Sequence, residues 1–322
     1  MSLAAIPSIV THAFAAVGLA ACALGAALAW PLEAPPPLQS VAEGAKAVGK
    51  EGRPELTRFQ ARDGTWLAYR CYPATNGATD RLAFVAHGSS ASSDAMNEVS
   101  RALAANGFMA LAIDARGHGA SGTRGDIGYI GQLDDDLADL IAHIRKTYPT
   151  ARLTFVGHSS GGGFVARIAG GPLGGEFERF VLLSPFLGAQ APTTRGVGGW
   201  VKADIPRILA LELLRRIGVD WAQSLPVLAF ANPPEAAPFV TLRYSYRLMT
   251  DYAAAWDWRA AFLAARGKFA LVAGADDELM DPAAYRDVLE PLGVKVEIVP
   301  GVDHMGMVHQ PAALAAMVAA AK

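Results

Sequence analysis

Directly behind the apolar run 153–156, the segment Gly157-His158-Ser159-Ser160-Gly161 sets a serine between two glycines in the pattern G-x-S-x-G. That spacing suits a nucleophile held on a sharp strand-to-helix turn. The turn forces an unusual backbone angle on Ser159. Side chains two positions to either side would collide as the helix folds back, and glycine at 157 and 161 removes the collision. The helix that follows, with Gly162, Gly163 and the apolar Phe164, Val165 and Ile168, would present its N-terminus to negative charge developing at Ser159.

A hydroxyl is a poor nucleophile until a base takes its proton. In this geometry an acid and then a histidine follow the serine in chain order, each at the end of a later strand. Behind the run 269–273 stand Asp276, Asp277, Glu278 and Asp281, four carboxylates that spacing alone does not separate. Behind the run 294–299, Asp303-His304 places His304 as the base; His309, expected within the last helix, is the alternative. His143 in mid-helix and His158 beside the serine read as structural. The oxyanion needs two donors. One is expected from the backbone N–H of Ser160. The other is expected from Ser89, in the loop His87-Gly88-Ser89-Ser90 behind the run 82–86, with His87 orienting that loop.

These positions need strands to end where the chemistry sits. Apolar runs at 57–62, 66–72, 82–86, 108–114, 153–156, 180–183, 269–273 and 294–299 predict eight strands, the first two joined by an Asp63-Gly64 hairpin turn. Helices are predicted over 97–106, ended by Gly107, and over 133–148, opened by Asp134, Asp135 and Asp136. The alternation implies an α/β fold: a mostly parallel eight-stranded sheet with helices on both faces and a crevice at the strands' carboxyl ends. The interval 188–266 is too long for a connection. Within it, Ile205, Ile208, Leu209, Leu213 and Ile217 can share one helical face, and Trp200, Trp221, Phe230, Phe239, Tyr244, Tyr246, Trp256 and Trp258 make it aromatic-rich. It reads as an inserted helical cap over the crevice, or as an extra structural helical layer.

Composition bounds the rest. Of 322 residues 52% are hydrophobic and 18% charged, and the net charge of −2 offers no excess of cations for phosphates, which argues against a nucleic-acid binder. Cys22 and Cys71 cannot build a disulfide framework or a thiolate metal site. Residues 1–32 carry no Asp, Glu, Lys or Arg, and the run 9–30 is long enough to cross a bilayer as a helix. Three readings fit it: an uncleaved anchor, a secretory signal cut behind Ala27-Leu28-Ala29, or a lipoprotein box at Leu19-Ala20-Ala21-Cys22. Each makes the protein membrane-associated or exported. The chain divides into an N-terminal segment 1–31, a Pro-rich linker 32–56, a core 57–187 plus 267–322, and the insertion 188–266.

From residue 57 onward the chain resembles the α/β-hydrolase superfamily, in its monoacylglycerol lipase, lysophospholipase and serine-aminopeptidase-like branch. The matching segments are His87-Gly88, 114–122, 157–162, Leu183-Ser184-Pro185, 274–277 with Asp281, and Val302-Asp303-His304. The resemblance implies a Ser159–Asp277–His304 triad, since relatives carry their acid in a G-x-x-D pattern, with Asp276 and Asp281 as alternatives and Asp281 a turn or cap residue. It implies no metal or organic cofactor and a small acyl ester or lipid-like substrate. Monoacylglycerol-lipase-like relatives often have Met after the nucleophile, where Ser160 stands here. An aminopeptidase or amidase would need an anionic pocket, for which Glu235 or Asp251 are candidates. A membrane-tethered binding protein that has lost turnover is a further alternative.

Overall fold

The computed structural model describes residues 5–196 and 199–322, without the side chains of residues 5–11, 13 and 17. The apolar N-terminal segment forms α1 (Ala5–Ala29), and α2 (Gln39–Ala47) follows the prolines. β1 (Leu56–Gln60) and β2 (Trp66–Tyr72) pair antiparallel around the Asp63-Gly64 turn, where Gly64 takes φ +84°. Strands and helices then alternate through β3 (Arg81–Ala86), α3 (Asn97–Ala105), β4 (Met109–Asp114), α4 (Gln132–Arg145), β5 (Arg152–His158), α5 (Ser160–Gly170) and β6 (Phe177–Leu183). The long interval builds β7 (Val201–Ala203), α6 (Ile205–Arg216), β8 (Pro226–Phe230), β9 (Arg243–Ser245), α7 (Tyr246–Asp251) and α8 (Trp258–Ala264). Last come β10 (Phe269–Gly274), α9 (Pro282–Leu289), β11 (Lys295–Val299) and α10 (Pro311–Ala321).

Eight strands form one sheet in the order β1-β2-β4-β3-β5-β6-β10-β11, parallel from β4 to β11 and antiparallel where β2 joins β1 and β4. All eight runs expected from the sequence are its strands. β4 and β10 are buried along their whole length because helices cover both faces, which is why they read as unbroken apolar runs. Right-handed crossovers dictate the layering. From β3 to β4 the chain moves one way along the sheet, and from β4 to β5, β6, β10 and β11 the other. This puts α3 on one face and α4, α5 and α9 on the opposite one. α10 returns to pack on α3, while α8 packs on α5. Chain direction reverses between the crossovers that leave β3 and those that reach β5, so the crevice opens at the carboxyl ends of these two strands. Beneath it a tier of rings fills the core: Phe84 meets Phe177 edge-on at 5.8 Å, and Phe155 stacks on Phe177 at 5.1 Å.

The insertion differs from the helical cap expected. β7, β8 and β9 form a separate antiparallel three-stranded sheet, with α6 and α7 beside it. Strands of three to five residues are too short to leave an alternating pattern. α6 is capped by Asp204, whose carboxylate accepts from the Arg207 N–H at 3.0 Å. Its buried face carries Arg207, Ala210, Leu211 and Leu214. Ile205, Leu209, Leu213 and Ile217, four residues apart, are 55, 64, 58 and 67% exposed, so the stripe that pattern reading marks as apolar points outward.

The end of α1 packs on that insertion. Leu24 and Leu28 join the cluster of Leu211, Leu214, Ala222, Val227 and Tyr246, and the Arg207 guanidinium donates to the Trp30 carbonyl. Among the described residues no helix is long and apolar enough to cross a membrane. The first part of the proposed anchor, residues 1–4 and most side chains to residue 13, lies outside them.

Candidate active site

Ser159 sits between β5 and α5 at φ 52°, ψ −121°, a backbone conformation that costs a serine about 1–3 kcal/mol. Neighbouring hydrogen bonds hold it there. The Ser159 N–H donates to Leu183 O at 2.9 Å, and its carbonyl accepts from Gly163 at 3.1 Å and Phe186 at 2.9 Å. A Cβ at Gly157 would strike the Gly161 carbonyl, the expected collision. A Cβ at Gly161 would strike the carbonyls of Ala86 and His87. The start of α5 therefore lies hard against the exit of β3. That closeness brings the loop 87–90 to the serine: a Cβ on Gly88 would stand 3.3 Å from the Ser159 Cβ.

β10 and β11 end beside each other and deliver the other two groups. His304 Nδ1 lies 2.9 Å from Asp277 Oδ2 and 3.1 Å from Oδ1. A carboxylate only accepts, so the ring proton is on Nδ1 and Nε2 is free to act as a base. Asp277 Oδ1 also accepts from the N–H groups of Leu279 and Met280 at 2.9 and 2.8 Å. Burial alone would raise the Asp277 carboxyl. Electrostatic attraction to the His304 ring and these hydrogen bonds outweigh burial and hold it below the ordinary carboxylate range. All three side chains are buried, Ser159 being 6% exposed. Among the described residues no hydrogen bond joins Ser159 Oγ to His304.

The other acids separate clearly. Asp276 is exposed, and Asp281 caps α9 by accepting from the Ala283 N–H at 3.1 Å. Glu278, which pattern reading left among the candidates, accepts from the backbone N–H of His304 at 3.1 Å. His309 lies in the turn before α10 rather than within that helix, a correction to its expected place. Pro311 opens the helix two residues later, the favoured place for proline. His143 stacks on Phe59 in α4, at a ring distance of 5.5 Å. His158 donates from Nε2 to the His304 carbonyl at 3.1 Å. Burial first, then the neighbouring His304 charge, pull its pKa down to about 3, so it stays neutral and props the base-bearing loop.

The N–H groups of Ser89 and Ser160 have no hydrogen-bond acceptor among the described residues; Ser160 follows Ser159 in the chain, and Ser89 follows Gly88, which packs against Ser159. His87 holds the loop as expected: its Nε2 accepts from the Ala115 N–H at 3.3 Å and its Nδ1 lies 2.8 Å from Gly88 O. Sequence reasoning missed the hydroxyls that support this loop from the insertion. Tyr252 Oη donates to the His87 carbonyl at 2.5 Å and Tyr244 Oη accepts from the Ser90 N–H at 2.7 Å. The only signal for them was the aromatic richness of the interval. Among the described residues no group of His, Cys, Asp and Glu could hold a metal ion.

A mostly parallel sheet of this order, with a serine at a strained turn behind β5 and a carboxylate–imidazole pair behind β10 and β11, defines an α/β-hydrolase. The model of the family described as serine aminopeptidase, S33, matches residues 77–310, and the chain belongs to that family. A monoacylglycerol lipase of Mycolicibacterium smegmatis is 31% identical over 107 residues, 33% of this chain and 38% of that protein; the chain thus spans well under half of this relative's length. Among solved structures, a soluble variant of monoglyceride lipase from Saccharomyces cerevisiae aligns with TM-score 0.61 at 18% identity, over 84% of this chain and 94% of that one. A membrane phospholipase A, described as a bacterial virulence factor, aligns with TM-score 0.54 at 17% identity, over 95% and 93%.

Proposed function

We propose that this chain is a serine hydrolase that cleaves acyl esters of lipid-like alcohols through an acyl-enzyme, as a carboxylesterase, lysophospholipase or monoacylglycerol lipase does. The observation that carries the reading is the Asp277–His304 pair, 2.9 Å apart and buried, beside a serine on a strained turn. Ser159 Oγ attacks the acyl carbonyl while His304 Nε2 takes its proton. The two atoms come into contact around substrate, as such hydrogen bonds commonly do. Asp277 keeps the imidazole in the Nδ1–H tautomer and stabilises its cation. The N–H groups of Ser89 and Ser160 receive the oxyanion, aided by the positive end of α5. His304 then returns the proton to the leaving alkoxide, and water attacks the acyl-enzyme by the same route.

Amine substrates are disfavoured despite the family's description. Asp251 is 1% exposed and committed to α4, accepting from Gly131 and Leu133 at 2.9 Å each and pairing with Arg167. Glu235 lies exposed on the insertion. Neither forms a pocket for a substrate ammonium.

The lipid-like substrate class is supported by the monoacylglycerol lipase relative and by the apolar stripe of α6. α1 packs beside α6 through Leu24 and Leu28, and Arg215 and Arg216, both paired with Glu212, stand exposed next to the stripe. We accordingly propose that the protein is membrane-associated through α1, with α6 resting on the lipid surface.

The test is turnover of a p-nitrophenyl ester series from acetate to palmitate, a monoacylglycerol, and an aminoacyl p-nitroanilide. Wild type is expected to hydrolyse the esters and the monoacylglycerol, and Ser159→Ala to lose at least about a thousandfold in kcat. Ester turnover that survives Ser159→Ala, or nitroanilide turnover exceeding ester turnover, overturns the reading.

A further inference from the structure

Ser90, one residue beyond the expected oxyanion donor, is 2% exposed and holds φ 68°, in the left-handed region that serine seldom occupies. Each of its polar groups is bonded to the insertion. Its N–H donates to Tyr244 Oη at 2.7 Å and its Oγ donates to Thr241 O at 2.7 Å. Asn232 Nδ2 donates to that Oγ at 2.8 Å, and the Ser90 carbonyl accepts from the Thr241 N–H at 2.8 Å. The neighbouring Ser89 Oγ accepts from Trp200 Nε1, also of the insertion, at 2.9 Å.

The far end of this chain of bonds is fixed as well. His118 Nδ1 lies 3.3 Å from the Arg116 carbonyl, which can only accept, so the proton is on Nδ1. His118 Nε2 therefore accepts from Tyr244 Oη at 2.6 Å. The direction is continuous: Ser90 N–H to Tyr244 oxygen, Tyr244 O–H to His118. His118 is fully buried, which together with the neighbouring His87 keeps it neutral and able to accept.

We propose that Tyr244 is a positioning residue for the oxyanion hole: through Ser90 the insertion fixes the peptide that aims the Ser89 N–H at the reacting carbonyl. The insertion then sets the rate of acyl transfer as well as covering the crevice. Tyr244 touches neither substrate nor Ser159. It acts by holding Ser90 at a backbone angle that a free loop would leave. This rests on the serine-hydrolase reading above and adds to it a coupling between insertion and chemistry.

The full-length protein and its Tyr244→Phe and Asn232→Ala variants test it with two readouts, ester kinetics and inhibition by an alkyl trifluoromethyl ketone. In that adduct Ser159 Oγ adds to the ketone carbon, the serine proton passes to His304, and the former carbonyl oxygen becomes an oxyanion. Tyr244→Phe is expected to lower kcat tenfold to a hundredfold with KM within twofold, and to weaken the trifluoromethyl ketone by a similar factor. Binding of the corresponding secondary alcohol, which forms no oxyanion, should stay within twofold. Asn232→Ala, at a half-buried position, should move the same quantities the same way by about threefold to tenfold, and it carries the test if Tyr244→Phe does not fold. Unchanged kcat and ketone affinity in a folded variant, or equal losses for ketone and alcohol, overturn the proposal. Wild type that neither turns over esters nor binds the ketone instead sinks the hydrolase reading beneath it.

Discussion

Four carboxylates crowd the turn after β10, and their surroundings give each a different task. Asp277 is the one that meets an imidazole, so Asp277→Asn should lower kcat by about a thousandfold to ten-thousandfold by favouring the wrong tautomer. Asp276→Asn should stay within a few-fold of wild type. Asp281→Asn should do likewise, because asparagine caps a helix nearly as well as aspartate. Comparable losses in all three would contradict the assignment of the acid. The sequence carried the elbow, its glycines and the place of His304 because strand-turn-helix punctuation is local. It could not rank the acids without a family pattern, since which of four adjacent carboxylates faces a histidine 27 residues away depends on how two strand ends meet. The supporting hydroxyls of Tyr244 and Tyr252 were invisible for the same reason: each acts across more than 150 residues.

At the scale of elements, the six buried strands of the parallel part announce themselves as short apolar runs, and the antiparallel β1 and β2 are located by the Asp63-Gly64 turn between them. The insertion was another matter. Its β7 and β9 have three residues each, and the orientation of α6 is decided by partners far away in sequence. Arg207 is drawn inward by the Trp30 and Pro226 carbonyls, which turns Ile205, Leu209, Leu213 and Ile217 out. If that stripe rests on lipid, replacing all four by serine should weaken co-sedimentation with phosphatidylglycerol-containing vesicles by more than tenfold, each large aliphatic side chain being worth about 1.5–3 kcal/mol when fully buried. Turnover of a soluble short-chain ester should stay within twofold. Unchanged vesicle binding would mean that α6 does not face the membrane. Because Leu24 and Leu28 are packed into the fold, intact mass should also find residues 24–30 retained in the purified protein.

At the scale of the whole molecule, the buried His87, His118 and His158 cluster around the crevice. Burial lowers the pKa of His87, takes His158 down to about 3 and holds His118 well below its ordinary value. His118 and His158 stay neutral when folded but can protonate near pH 6.5 when unfolded, so the unfolded chain binds more protons below that pH. Stability should therefore be level above about pH 7 and fall as pH drops through 6.5, well before the carboxylates titrate. The limiting slope is about 1.4 kcal/mol per pH unit for each histidine. Urea midpoints measured from pH 8 to pH 5 check this, and a flat profile down to pH 5 would contradict it. The histidines were legible as residues beside motifs, but their neutrality follows only from the packing around them.

The central claim is that Ser159 is an activated nucleophile, and reaction with a fluorophosphonate followed by intact mass spectrometry tests it most directly. One added phosphonyl group, displacing fluoride, is expected on wild type and none on Ser159→Ala at matched fold and concentration. A folded wild type that stays unmodified, or a Ser159→Ala variant labelled equally fast, would contradict it.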